Sequence, residues 1–532
     1  MDKETTAKII AEGKAVLGME LGSTRIKAVL IGEDGSPIAL GSHTWQNRLE
    51  NGVWTYHLDD VWKGLREAYA DLSNNVREEY GVTLTRPAAM GVSAMMHGYL
   101  PFDKDGNQLA EFRTWRNTIT GKAAETLTGL FNFNIPQRWS IAHLYQAILN
   151  GEEHVKDITS LMTLAVYVHW KLTGQKVAGI GEASGMFPID STTMDYDETR
   201  VKIFDALTEV RGLPWNLRGI LPRVLSAGEN AGILTREGAL LLDPTGTLQA
   251  GVPFCPPEGD AGTGMVATNS VRVGTGNISA GTSSFAMIVL QKALSKLHME
   301  IDMVTTPDGL PVAMVHCNTC TSDISSWASA FEEFSAAAGS PIGKDAVYKA
   351  IFEGALFGET DCGGLVNINA FAGEPVVGID EGRPMMVRLP DAHLTFANIA
   401  RSLVFGSVAP LAVGMDILTK EEGVEITRLL AQGGLFKTGI SGQKLMAAAL
   451  SIPVSVMKTA GEGGPWGMAL LAAYMIQRDD GESLPDYLEN KIFADSDGST
   501  VTPDPDDVSG FEIYRRRYEQ ALAAERAAAA IE

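Results

Sequence analysis

Apolar positions cluster at residues 15–22 (AVLGMELG) and again at 26–32 (IKAVLIG), on either side of the short polar stretch Ser23-Thr24-Arg25. Two such runs joined by glycine, serine and threonine predict a strand, a tight turn and a second strand. GEDG at 32–35 marks the next turn and SPIALGSHTW a third strand. The period then becomes helical over 59–80 (DDVWKGLREAYADLSNNVREEY), with Asp59 or Asp60 at the N-cap position. AAMGVSAMMHGYLPF at 88–102 reads as a buried strand entering a loop. DKDG at 103–106 is a further turn, and long helical stretches follow between about 118 and 175. Strands alternating with helices predict an α/β domain.

The second half repeats the opening. NISAGTSSFAMIVL at 277–290 is strand, Gly-Thr-Ser turn and strand, and VTTPDGLPVAMVHC at 304–317 adds a strand, a PDG turn and another strand. Helices are predicted at 322–338, 395–418 and 422–432. The stretch 427–454 (TRLLAQGGLFKTGISGQKLMAAALSIPV) reads as helix, Gly433-Gly434 break, helix and strand, and AGEGGPWGMALLAAY at 460–474 as a glycine-rich entry to a helix. FEIYRRRYEQALAAERAAAAIE at the C-terminus reads as a peripheral helix. Aligning GSTRIKAVLI (22–31) with GTSSFAMIVL (281–290) matches the turn and the strand after it at low identity, which is a topological echo. The expected organisation is a tail at 1–14, a first domain at 15–265 and a second at 266–532, divided just after GDAGTG.

With 532 residues, 45% of them hydrophobic, the chain can bury large cores. It has no run of 18 or more apolar residues, which argues against a membrane span. MDKETTAKIIAEGK lacks the apolar centre of a secretory signal and reads as a short helix or a frayed tail. The net charge of −22 argues against nucleic acid and anionic lipid as partners, because phosphate backbones need clustered cations. The one basic run, Arg515 to Arg517, fits the charge pattern of the C-terminal helix. Four cysteines (Cys255, Cys317, Cys320, Cys362) are too few for a disulfide framework, which points to a reducing cytoplasm. Cys317 and Cys320 form a CxxC with no second pair, the pattern of buried strand-end cysteines rather than of zinc. Trp139 and Trp170, at helical spacing, are expected in the core, and Trp54 and Tyr56, after the Asn51-Gly52 turn, at a hairpin edge. An acidic chain can still hold a phosphorylated ligand if backbone N–H groups and a divalent cation supply the positive potential. The turns Gly22-Ser23-Thr24 and Gly281-Thr282-Ser283 are suited to that: glycine admits close approach and the hydroxyls add donors. Either alone is an ordinary turn; together, each opening one half of the chain, they could hold a triphosphate from two sides of a cleft.

In order and spacing these residues resemble the FGGY carbohydrate kinases, of the sugar kinase, actin and Hsp70 ATPase fold, over nearly all of residues 15–476. That family's first phosphate loop, Asp-x-Gly-Thr-Thr-x-x-Lys, is similar to Glu20-Leu21-Gly22-Ser23-Thr24-Arg25-Ile26-Lys27. Its second, Gly-Thr-Ser after a strand, is similar to Gly281-Thr282-Ser283. Its adenosine motif is loosely similar to Gly433, Gly434, Ser441 and Gln443, and KLTG at 171–174 and EASGMFPID at 182–190 look like its mid-domain segments. Phosphoryl transfer to a sugar hydroxyl needs a carboxylate base, and the family's Gly-x-x-Asp implies Asp260, with Ala261 where many relatives have Asn. The xylulokinases carry Ser-Gly-Gln-Met-His-Gly in the sugar site; the stretch here is Ser93-Ala94-Met95-Met96-His97-Gly98, with Met95 for the glutamine. Their Trp-x-Asp-x-x-Arg is matched by Trp115-Arg116-Asn117, without the later arginine. The resemblance therefore implies a two-domain actin-like (ribonuclease H-like) α/β fold with an inter-domain cleft. It implies ATP and Mg²⁺ as cofactors, Glu20 in place of the family's metal-positioning Asp, and Lys27 beside the phosphates. It also implies Met96, His97, Gly98, Trp115 and Asn117 around a small sugar or polyol, with a D-xylulose-like ketopentose favoured. Ribulose, another ketose, a polyol or an ATP-binding sensor of the same fold stays open, as does a homodimer.

Overall fold

A computed structural model describes residues 2–437, 439–457, 463–494 and 498–531. Ala460 to Glu462, the start of the glycine-rich entry read from the sequence, lie outside the described residues.

The chain forms two compact units. The first comprises Met1–Val271, Met303–Val312 and Glu462–Asp495, and the second Arg272–Asp302, Ala313–Gly461 and Ser496–Glu532. Two returning segments, 303–312 and 462–495, are thus part of the first unit.

The first unit is built on a five-stranded sheet in the order 258–259, 89–94, 16–21, 25–31, 37–44. Val16–Leu21 pairs antiparallel with Arg25–Ile31 across the first turn and parallel with Ala89–Ala94. The Ala89–Ala94 strand reads AMGVSA and is buried at every position, as a parallel central strand must be. Helix Leu58–Tyr80 packs on the two outer strands and helix Gly463–Gln477 on the central ones. The backbone of the second helix approaches so closely that a Cβ on Gly18 would meet the Pro465 carbonyl and Ala469. The Leu58–Tyr80 helix is capped by His57 without a side-chain bond. Asp59 and Asp60 fall in its first turn, where they favour the positive end of the helix dipole, and Gly81 at φ 69° ends it. The long helical stretch after residue 118 resolves into Gly121–Phe131, Ser140–Leu149 and Leu164–Thr173, and the N-terminal stretch forms the helix Lys3–Ala11.

The second unit repeats the pattern: Thr275–Ala280 pairs antiparallel with Ser284–Val289 across the second turn and parallel with Arg428–Gln432. The sheet continues outward through Pro311–Cys317 on one side, and through Val454–Met457 and Gly498–Val501 on the other. Here the sequence reading needs correction. Residues 428–432, expected as the end of a helix, are a strand, and a short apolar run cannot by itself distinguish a buried parallel strand from a helix. Helix Lys344–Ala355 was not expected. Phe396–Asp416 is largely apolar and buried along most of its length, with Asn398 and Arg401 among its buried residues. The C-terminal helix begins earlier than expected, at Pro505 with Asp504 as cap, and is not peripheral: Phe511, Tyr514, Tyr518 and Leu522 are buried. Its basic run is anchored by the Arg515–Asp416 and Arg517–Asp361 ion pairs.

Candidate active site

The register of the first hairpin places Glu20 opposite Lys27 and beside Ser93, which in turn faces Glu258. Between Glu20 and Lys27 the turn Gly22–Thr24 is solvent-accessible, and all three of its carbonyls are tied from one side. The Gly22 carbonyl accepts from Trp45 Nε1 at 2.7 Å, Ser23 from the Tyr56 hydroxyl at 2.7 Å and Thr24 from the Trp45 backbone N–H at 3.1 Å. Trp45 and Tyr56 stack with ring centroids 4.2 Å apart. With its carbonyls fixed, the turn keeps the amides of Ser23 and Thr24 free of partners among the described residues, the arrangement of an anion-binding nest.

The second turn is built the same way from unrelated residues. The Gly281 carbonyl accepts from the Thr321 N–H (3.0 Å) and hydroxyl (2.7 Å), and the Thr282 carbonyl from the Cys320 N–H (2.8 Å). Gly433, at φ 104°, packs its Cα directly on the Ala280 carbonyl at the base of this turn, which no side chain would allow. Gly434 lies at the edge of a cavity of about 610 Å³ whose walls include Ile324, Tyr348, Lys349, Phe352 and Lys437. That volume suits a nucleoside. Gln443 does not join it. The residue is 2% exposed, and its amide donates to the Val454 and Ser499 carbonyls at 2.7 Å while accepting from the Ser499 hydroxyl, so it clamps two strands. Ser441 is buried as well.

Asp260 is the first residue of the helix Asp260–Ala267, directly after the short strand Glu258–Gly259. Its Oδ1 accepts from the N–H groups of Met96 (3.3 Å) and Ala261 (3.0 Å), which joins it to the loop that carries His97 and Gly98. The side chain reaches solvent, yet the surrounding protein desolvates it enough to raise its pKa against those donors. Glu20 is pushed up to about 7, chiefly by burial; Lys27 opposes this and the charge of Asp260 adds to it. Its carboxylate rests on the Cα of Gly464, at the start of the helix Gly463–Gln477. Behind them lie two fully buried glutamates. Glu258 accepts from the N–H groups of Gly181, Glu182 and Gly259 and is still pushed up to about 8 by burial. Glu182 is raised well above the usual range, chiefly by burial. Burial favours the neutral form of both, which spares Asp260 two buried negative neighbours.

His97, at φ 69°, is buried, and its Nδ1 lies 3.0 Å from the Gly185 carbonyl. A carbonyl only accepts, so Nδ1 carries the proton. Burial holds the ring neutral, with a pKa of about 3, and Nε2 is left as an acceptor suited to a hydroxyl. Gly98, at φ 90°, has no room for a Cβ: the Arg113 carbonyl and the Phe112 ring would each lie 2.8 Å from it. Trp115 is 39% exposed. Asn117 does not offer its amide to a ligand. It is 2% exposed, accepts from the Trp54 N–H at 2.8 Å, and donates to the carbonyls of Trp54 (2.8 Å) and Thr114 (3.0 Å). It sets the Trp54 backbone.

The expected residues therefore assemble in two groups, Glu20, the first turn, Lys27, Met96 and Asp260 in one unit, and the second turn with Gly433 and Gly434 in the other. Asn117 and Gln443 serve as internal ties. Sequence reasoning missed the tethers Trp45, Tyr56 and Thr321 and the buried glutamates Glu182 and Glu258. Glu258 stands two residues before Asp260, and Glu182 in the EASG stretch, but side-chain-to-carbonyl ties across 20 to 40 residues leave no periodic signal.

Residues 15–267 match the N-terminal domain and residues 276–476 the C-terminal domain of the FGGY family of carbohydrate kinases. A xylulose kinase of Haemophilus influenzae is 21% identical over 444 residues, 81% of this chain and 83% of that one. A glycerol kinase of Thermococcus gammatolerans is 23% identical over 289 residues, 51% of this chain, so the match spans about half (53%) of that protein's length. The fold is similar to that of a ligand-bound xylulose kinase from Lactobacillus acidophilus, with a TM-score of 0.78 at 16% identity over 97% of this chain and 99% of that one. Two domain matches in order, covering most of its length, establish that the chain belongs to the FGGY family of carbohydrate kinases, a family of ATP-dependent sugar phosphotransferases with the two-domain actin-like fold.

Proposed function

We propose that the chain transfers the γ-phosphoryl group of ATP to a terminal hydroxyl of a small sugar, a ketopentose such as D-xylulose being the favoured acceptor. The observation that carries this reading is the bond from the Met96 N–H to Asp260, which holds the base candidate at the loop bearing His97 and Gly98. In this reading the second unit takes the nucleotide, with its base and ribose in the cavity beside Gly434 and its phosphates on the amides of Gly281–Ser283. The first unit takes the acceptor. His97 Nε2 accepts one acceptor hydroxyl and Trp115 offers an apolar face. Asp260 accepts the proton of the attacking hydroxyl as its oxygen bonds to the γ-phosphorus; the bond from that phosphorus to the β,γ-bridging oxygen breaks, and ADP leaves. The amides of Ser23 and Thr24 offset charge on the transferred group.

Glu20 and Asp260, coupled carboxylates with hard oxygen donors, fit Mg²⁺, which keeps several waters and takes one or two carboxylates together with phosphate oxygens. Glu20 would hold the ion, through water as the extra methylene allows, and bound Mg²⁺ would neutralise phosphate charge. Four cysteines, all buried and unpaired, fit a reducing, cytoplasmic setting.

The test is ADP release coupled to a reporter over a panel of ketoses, aldoses and polyols. Stimulation by a ketopentose supports the reading. Stimulation by glycerol or another polyol alone moves the acceptor within the family, and stimulation by none would make the chain an ATP-binding sensor. Asp260→Ala is expected to lower turnover by about 10²–10⁴-fold while ATP still binds; full turnover in that variant refutes the assignment.

A further inference from the structure

Arg116 is a cation that the fold fixes in place without an acidic partner. Its neighbour Arg113 is buried against Glu152, Nη1 to Oε1 at 3.1 Å and Nη2 to Oε2 at 2.5 Å, and Arg48 pairs with Asp60 at 2.7 Å. Arg116 is exposed, and among the described residues it forms no ion pair, in a chain where acidic residues outnumber basic ones by 65 to 43. Its guanidinium lies over the Trp54 ring, 3.9 Å from the centroid. Trp54 is itself fixed: its N–H and carbonyl are held by the Asn117 amide, and its carbonyl also accepts from the Thr114 N–H at 3.1 Å. Two residues further on, Tyr56 ties the Ser23 carbonyl, and its hydroxyl feels the charge of Arg116. Arg116 therefore stands on the same support that orients the first turn.

Stacking covers one face of the guanidinium and leaves its N–H edge to pair in plane with an oxyanion. A free surface arginine would give up side-chain entropy to be held this way. Lys27 lies opposite Glu20, which partly balances it, whereas Arg116 has no acidic partner among the described residues.

We propose that Arg116 recognises an oxyanion presented beside the Gly22–Thr24 turn, either the phosphoryl group in transfer or a carboxylate carried by the acceptor. The proposal rests on the kinase reading for its substrate but not for its anion.

The experiment uses the full-length protein with R116Q and R116K, with thermal midpoints as the control for folding. Intrinsic tryptophan fluorescence is titrated with sodium phosphate and with sodium D-gluconate, and ADP release is followed with D-xylulose, glycerol and D-gluconate as acceptors. If the anion is the transferring phosphoryl group, R116Q lowers turnover by about tenfold or more with every acceptor the wild type uses, with acceptor KM nearly unchanged. If it is an acceptor carboxylate, R116Q raises KM by about tenfold for D-gluconate alone and spares the neutral acceptors. In both cases R116K recovers part of the loss, because it keeps the charge without the planar fork. Kinetics and anion titrations of R116Q that match the wild type overturn the proposal. Should the wild type release no ADP with any acceptor, the kinase reading fails by itself. The titrations then decide: loss of phosphate or gluconate binding in R116Q supports Arg116 as an anion site, and binding that is absent from the wild type or unchanged in the variant overturns it.

Discussion

At the scale of single residues, Glu20 and Gly464 form a matched pair. The carboxylate occupies the space a Cβ at 464 would need, so Gly464→Ala forces Glu20 to move and an Asp at 20, one methylene shorter, relieves the conflict. The expected outcome is a double-mutant cycle with a favourable coupling of about 1–2 kcal/mol between Glu20→Asp and Gly464→Ala, read from thermal midpoints and from Mg²⁺-dependent turnover. Additive effects would show that the two do not compete for space. Residue type alone conveyed part of this site. Glu20, Asp260 and His97 stand out in sequence because each carries chemistry beside a glycine or a strand end. Asn117 and Gln443 also stand out, yet their amides are taken up by backbone groups. A sequence names an amide but does not say whether a carbonyl 63 residues away, or a strand 56 residues away, already holds it.

At the scale of elements, the two hairpins share a construction that their sequences hide. In each, a glycine-hydroxyl turn has its carbonyls drawn to one side, by Trp45 and Tyr56 in one unit and by Cys320 and Thr321 in the other. Tyr56→Phe removes one tie. It is expected to cost about 0.5–1.5 kcal/mol of stability and to raise KM for ATP several-fold with acceptor KM unchanged; an unaltered KM for ATP would dissociate the tie from nucleotide binding. Gly433→Ala meets both a positive φ and the Ala280 carbonyl. The expectation is a loss of about 1–3 kcal/mol or more together with lost binding of a fluorescent ATP analogue, while binding of acceptor to the first unit persists. The hairpins were legible because glycine and apolar alternation mark them. Arg428–Gln432 was not, because a five-residue buried strand carries no period that separates it from a helix turn.

At the scale of the whole molecule, burial pushes several carboxyls toward their neutral form in the folded state. Glu258 is pushed up to about 8, and Glu20 and Glu374 to about 7, in each case mainly by burial. A carboxyl whose folded pKa exceeds its unfolded value stabilises the fold fully below the unfolded pKa, and that contribution fades as pH rises through the folded pKa. Stability should therefore decline between about pH 5 and pH 8, a window bounded by the ordinary glutamate pKa below and that of Glu258 above. The thermal midpoint is expected to fall by several degrees across that window and to fall less in Glu258→Gln; a midpoint that rises with pH would contradict the neutral-acid reading. The α/β class and the paired halves were readable from the order of strands and helices. The return of 462–495 to the first unit was not, since no local pattern announces which sheet a helix will join.

That return sets an order of events during synthesis. The first unit's central strand has Gly18 pressed against Pro465 and Ala469, so the sheet face that this helix covers stays open until the ribosome has delivered nearly the whole chain. A nascent chain stalled near residue 450 would present a sheet missing its covering helix and should be readily cleaved by protease within 15–271, whereas release of the completed polypeptide should confer resistance. The amino-terminal half of this protein is thus among the last parts of it to finish folding.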